Sequence, residues 1–113
     1  MTVIYHMADK ADWQSALETG VYEGTAADKA DGFIHFSTRQ TVAESAAKHR
    51  AGAGNLLLIS IDADLLGDDL KWESARGGIM FPHLYGPLDP ALVKEVVDLP
   101  LGPDNLHIFP ELE

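Results

Sequence analysis

No cysteine occurs in the 113 residues, which excludes a disulfide framework and any zinc site built on thiolates, and suits a reducing compartment. Basic side chains are scarce: 8 Lys and Arg stand against 18 Asp and Glu, a net charge of −10. Such a surface repels phosphate backbones and disfavours nucleic acid as a partner. A small anionic ligand remains compatible with it, because a local cluster of donors can act against the global field. There is no apolar run of membrane-spanning length, and "MTVIYHMADK" opens directly on a strand pattern without a charged leader. The expectation is a cytoplasmic protein. Linkers, charge blocks and repeats are also missing, so residues 1–113 read as a single domain, with 46% hydrophobic residues to build its core. The usual catalytic signatures are absent too. "AGAGNLL" lacks the third glycine of a dinucleotide fingerprint and precedes a strand, and there is no P-loop, G-x-S-x-G or H-E-x-x-H.

What is present is strand alternation interrupted twice by helical spacing. Thr2–Met7 reads as a strand with Val3 and Tyr5 on one face and Ile4 and His6 on the other. Asp9 is placed to cap a helix over Lys10–Thr19 that turns Trp13, Ala16 and Leu17 inward and stops at Gly20. "VYEGTAADKAD" reads as a loop. Gly32–Ser37 is a second strand, and Thr38 can cap a second helix, Arg39–Arg50, with Val42 and Ala46 inward. Strands follow at Leu56–Ile61, Leu70–Glu73, Met80–Tyr85 and Val93–Leu99, before an irregular tail. Several lie too close together for crossover helices, which gives an α+β fold with two main helices and a mixed, mainly antiparallel sheet.

The informative feature is polar residues on apolar strands. In "GFIHFST" Phe33, His35 and Ser37 share a face; in "LKWE" Lys71 and Glu73 do; in "MFPHLYG" Phe81, His83 and Tyr85 do. A buried polar group without a partner costs about 1–3 kcal/mol. Five scattered singly would cost roughly 5–15 kcal/mol, comparable to the stability of a whole domain. Gathering them around one solvent-accessible cleft needs the fewest separate arrangements, and there an imidazole and a carboxylate can do chemistry. The alternative is local: a strand histidine bonded to backbone, Ser37 and Thr38 acting only as caps, and Tyr85 tying down the Gly86-Pro87 turn. His6, His35 and His83 do not share ligand spacing on one helix, and no metal is expected.

"IYH", "GFIHFST", "LKWE" and "FPHLYGPL", in this order, resemble the small bacterial proteins grouped as domain of unknown function nine-five-two, from about Val3 to Leu99. That family is grouped by fold with the ADP-ribosyltransferase-like proteins, whose split sheet cradles NAD. The resemblance therefore implies a split sheet and NAD as a substrate. It implies catalytic roles for His6, which would hold the ribose, and Glu73, which would stabilise an oxocarbenium-like centre as in glycosyl transfer. Substrate-binding positions would be His35, Ser37, Thr38, His83 and Tyr85. Lys71 departs from the acid or amide that arginine-directed enzymes of this fold carry two residues before the glutamate. Arg76, among the glycines of "SARGG", could contact an anionic group. The competing expectation is a non-catalytic module that keeps the cleft for a small ligand or a protein segment.

Overall fold

Alternation along the first strand decides the layering. In the computed structural model, which describes residues 1–113 apart from the Arg76 side chain, β1 (Val3–Asp9) turns Ile4 and Ala8 into one apolar cluster and Val3, Tyr5 and Met7 into another. β3 (Leu56–Asp62) lies antiparallel to β1 and splits in the same way, Ile59 and Ile61 to the first cluster and Leu56 and Leu58 to the second. β6 (Glu95–Leu99) completes the sheet in the order β1-β3-β6. A second antiparallel sheet, in the order β2-β5-β4, consists of β2 (Ile34–His35), β5 (Met80–Leu84) and β4 (Leu70–Ser74).

Three helices occupy the connections: α1 (Lys10–Thr19), α2 (Ala26–Asp31) and α3 (Val42–His49). α1 and α2 lie between β1 and β2, and α3 between β2 and β3, so each helical connection joins strands of different sheets. No helix has to cross over within a sheet, and every strand pair among the described residues is antiparallel, in place of the mixed sheet expected. The first cluster, with Trp13, Tyr22, Phe36, Leu84 and Leu88, fills the space between the sheets and α1. The second, with Val42 and Leu99, lies under α3 and the tail residues Phe109 and Leu112.

Several local expectations are corrected. "VYEGTAADKAD" holds α2, whose start is a reciprocal capping box: Thr25 Oγ1 accepts the Asp28 N–H at 3.2 Å and Asp28 Oδ2 accepts the Thr25 N–H at 2.8 Å. Thr38 does not cap α3 with its side chain. Its carbonyl accepts the N–H groups of Thr41 and Val42, its hydroxyl bonds that of Thr41, and the helix begins three residues later than expected. Asp9 stands at the N-cap of α1 without a capping bond, since its carboxylate takes Arg50 Nη2 at 2.7 Å instead. Leu17 points to solvent.

Among the described residues the backbones of the two sheets pair at one bridge, where the Tyr5 N–H donates to the Ser37 carbonyl at 2.8 Å and the Ser37 N–H to the Tyr5 carbonyl at 2.7 Å. Beyond it a histidine replaces backbone pairing: His6 Nδ1–H donates to the His35 carbonyl at 2.6 Å. The cleft opens at this seam.

The cross-strand pair Ile59–Val96 tests the layering, because Ile59 is fully buried while Val96 is partly exposed. Ile59→Ala should lower the unfolding free energy in urea by about 2–5 kcal/mol. Val96→Ala, across the same ladder, should lower it by less than about 1 kcal/mol.

Candidate functional site

Asp28 is the centre of the site. It sits in α2, almost wholly buried, seven residues before His35. Oδ2 takes the Thr25 N–H, and Oδ1 takes both the His35 N–H at 3.2 Å and His35 Nδ1–H at 2.5 Å. Burial pushes the Asp28 carboxyl up. The hydrogen bond from His35, the nearby His6 and the two backbone N–H donors outweigh that and hold it below the usual carboxylate range. The other nitrogen of His35, Nε2, lies 3.0 Å from Asp31 Oδ2 at the end of α2. With a carboxylate on each nitrogen the ring is stabilised as imidazolium, and the Asp28 bond, then the charges of both carboxylates, raise its pKa against partial burial.

His6 is buried beside this pair. Because a carbonyl only accepts, Nδ1 must carry the proton it gives to His35, so in the neutral ring Nε2 accepts from Tyr22 Oη at 2.6 Å. Burial lowers the His6 pKa, and the charge of Asp28, 3.7 Å from Nε2, only partly opposes this. Burial, then the charge of Asp28, pushes the Tyr22 hydroxyl far up, so it stays a donor. Tyr22 reaches His6 because its own backbone pairs with Leu88 and its ring packs edge-on against Trp13.

β2 and β5 pair His35 directly opposite His83, and their ring centroids lie 5.5 Å apart. His83 Nδ1 faces Glu73 Oε1 at 2.8 Å, and Tyr85 Oη donates to the same oxygen at 2.6 Å. Those two bonds, Tyr85's first, hold the Glu73 carboxyl below its usual range, and the same bond raises the Tyr85 hydroxyl. Phe33 stacks on His83 at 4.2 Å and also touches the rings of His35 and Tyr85. Two carboxylate-backed imidazoles therefore stand side by side, edge to face at 70°.

They open onto a cleft of about 400 Å³. Of the residues singled out from the sequence, His6, His35, Ser37 and His83 lie on its wall. Glu73 and Tyr85 belong to the same network but sit behind His83, off the wall. Thr38 lies away from the cleft in its turn with Thr41, and the side chain of Arg76 falls outside the described residues. Ser37 Oγ donates to Ser45 Oγ at 3.3 Å on the wall. Sequence reasoning missed Tyr22, Asp28, Asp31, Ser45 and Arg50, and gave His49, which lines the cleft, no role. The T-x-x-D of Thr25–Asp28 was the one available signal. Among the described residues no cluster of three or more His, Asp or Glu side chains is arranged to hold a metal ion, and no helix is long and apolar enough to cross a membrane.

Tyr22→Phe removes the hydroxyl that donates to the buried His6 Nε2 and should lower the unfolding free energy by about 1–3 kcal/mol. A second prediction concerns pH. His35 is raised on folding, so its contribution is complete below its unfolded pKa near 6.5 and is lost as pH rises through its folded value. His6 is lowered, so its contribution is present above pH 6.5 and is lost as pH falls below it. Denaturant titrations should therefore show stability declining on both sides of the region near pH 6.5, and His35→Gln should remove the decline on the alkaline side. An alkaline decline unchanged in His35→Gln would refute the assignment.

The model for the family described as "Protein of unknown function (DUF952)" matches residues 7–96. The crystal structure of protein CC0527 from Caulobacter crescentus superposes with a TM-score of 0.91 at 46% identity, covering 95% of this chain and 94% of that one. The solution NMR structure of CC0527 gives 0.83 at 47% identity, covering 94% and 91%. No curated protein matches the chain. By both the matched span and the shared fold, the protein belongs to the DUF952 family.

Proposed function

We propose that the cleft is the active site of an enzyme acting on a small nucleotide-class anion, with NAD as its leading candidate. The observation that carries this is the adjacent imidazoles of His35 and His83 on the wall of a ligand-sized hollow, each backed by a carboxylate, Asp28 and Glu73. The two imidazoles divide the work. His35, held as a cation between two carboxylates, supplies positive charge at the wall for an anionic group. His83 in its neutral form gives Nδ1–H to Glu73, which leaves the Nε2 lone pair to take a proton. In the glycosyl-type reaction that NAD offers, the oxygen of a water or an acceptor hydroxyl bonds to the ribose carbon as the carbon–nitrogen bond breaks. Nicotinamide leaves with that electron pair, and the proton of the attacking oxygen passes to His83.

The separation into two three-stranded sheets joined at one bridge, with the cleft at the seam, supports the ADP-ribosyltransferase-like grouping and hence NAD. The residue roles differ from those the resemblance implies. Glu73 sits off the wall with Oε1 accepting from two donors, so it acts through His83 as a positioning residue. His6, with both nitrogens engaged, aligns His35 and does not grip a ribose. Fold alone does not fix chemistry, and the proposal rests on the pair.

Thermal unfolding with NAD, ADP-ribose and AMP tests the reading. A ligand at a hundred times its Kd should stabilise the protein by about 2.7 kcal/mol, and no shift with any of the three would overturn it. If NAD binds, nicotinamide release should fall by about 10²–10⁴-fold in kcat for His83→Gln, with little change in KM. Binding without turnover would identify a binding module instead.

A further inference from the structure

Asp31 is a carboxylate in an unfavourable local position. It is the last residue of α2, where the free carbonyls carry partial negative charge, and Gly32 with φ of 88° closes the helix immediately after it. Its side chain is more than half exposed and could remain in water. Instead Oδ2 lies 3.0 Å from His35 Nε2, on the cleft wall, although Asp28 already supplies a carboxylate to the opposite nitrogen. The two carboxylates differ in kind. Asp28 is buried and held by the backbone of Thr25 and His35, so it cannot leave. Among the described residues Asp31 is held at the cleft by His35, and a half-exposed pair of this sort exchanges readily. Arg50 and His49 line the same cleft, and Arg50 Nη2 is also engaged by an acidic side chain, that of Asp9.

Resting on the reading of the cleft as a nucleotide site, we infer that the Asp31 carboxylate occupies the seat of the ligand's phosphate on His35 Nε2 and is displaced when the ligand enters. Asp31 is thus an internal competitor that keeps His35 paired and cationic while the cleft is empty. A phosphate group suits the exchange because it brings an anionic oxygen acceptor for the same N–H with at least the same charge. A neutral ligand could not replace Asp31 at that nitrogen without leaving the imidazolium half paired. The groups facing His35 are Asp28 and Asp31 from α2, His83 from β5 and His6 from β1, and of these only Asp31 can swing away into solvent.

The test compares AMP with adenosine on the wild type and Asp31→Asn, an exposed change that leaves the core intact. Calorimetric titration should show AMP binding about fivefold more tightly to Asp31→Asn, the scale of a half-exposed ion pair, with adenosine unchanged. The His35 ring proton, followed by NMR across pH, should titrate at lower pH in free Asp31→Asn and return upward when AMP is added. Equal AMP affinity in both proteins, or a His35 titration indifferent to AMP, would overturn the displacement and leave the nucleotide reading standing. AMP binding to neither protein would overturn the displacement, and the nucleotide reading falls with it if NAD and ADP-ribose also fail to bind. Tighter binding of adenosine as well would show a steric gate in place of a charged competitor, and would also overturn the inference.

Discussion

Burying the Asp28 carboxylate is the constraint from which most of the site follows. An ionised carboxylate taken from water is tolerated only when donors surround it. Asp28 collects three, the N–H of Thr25, the N–H of His35 and the His35 ring, with His6 close by. Each donor fixes a different part of the chain. The Thr25 bond starts α2, the His35 backbone bond ends the approach to β2, and the ring bond chooses which nitrogen of His35 faces the cleft. A neutral isostere at this position would leave the same donors with a weaker acceptor, and helix, strand and imidazole would loosen together.

A second consequence is the seam. His6 sits where the β1–β2 ladder would continue after Tyr5 and Ser37, and its ring spends its one neutral-form proton on the His35 carbonyl. A side chain in place of a backbone rung holds the strands apart by the width of an imidazole, and this keeps the hollow open. Tyr22 is what makes the wedge affordable, since without its hydroxyl the inner nitrogen of a buried ring would face only apolar atoms and a carboxylate.

Strand alternation made the β5 and β2 faces legible. Period alone placed Phe33 and His35 on one face of their strand and His83 and Tyr85 on one face of theirs, and the four rings meet. Five of the six strands and α1 lie within two residues of the bounds read from the sequence, while β2 contracts to two paired residues as Asp28 and His6 take the N–H and carbonyl of His35. The half of the site contributed by α2 was not legible. "AADKAD" has no apolar stripe, and a six-residue helix is held by its cap and its tertiary bonds, neither of which leaves a periodic trace. Tyr22 likewise looks like any loop aromatic until its partner Leu88, 66 residues on by their numbering, is known. Glu73 was placed on the correct face but not at the correct depth. Alternation gives the side of a sheet and says nothing of distance from a cleft, and β4 lies beyond β5 from the seam.

The net charge of −10 and the anion-binding role proposed for the cleft are compatible for a reason visible in the network. The acidic groups nearest the hollow face cations or donors: Asp28 and Asp31 on His35, Glu73 on His83, Asp9 on Arg50. Each pairing lowers the local negative field while keeping a proton or a guanidinium at the wall. Charges on the outer surface act through water and salt and fade over about 8–10 Å, whereas those at the wall act across a partly dry gap. Specificity for an anion would then depend less on how many positive groups surround the cleft than on which carboxylate can leave. Geometry assigns that property to the exposed one at the end of α2 and withholds it from the buried one at the third position of the same helix.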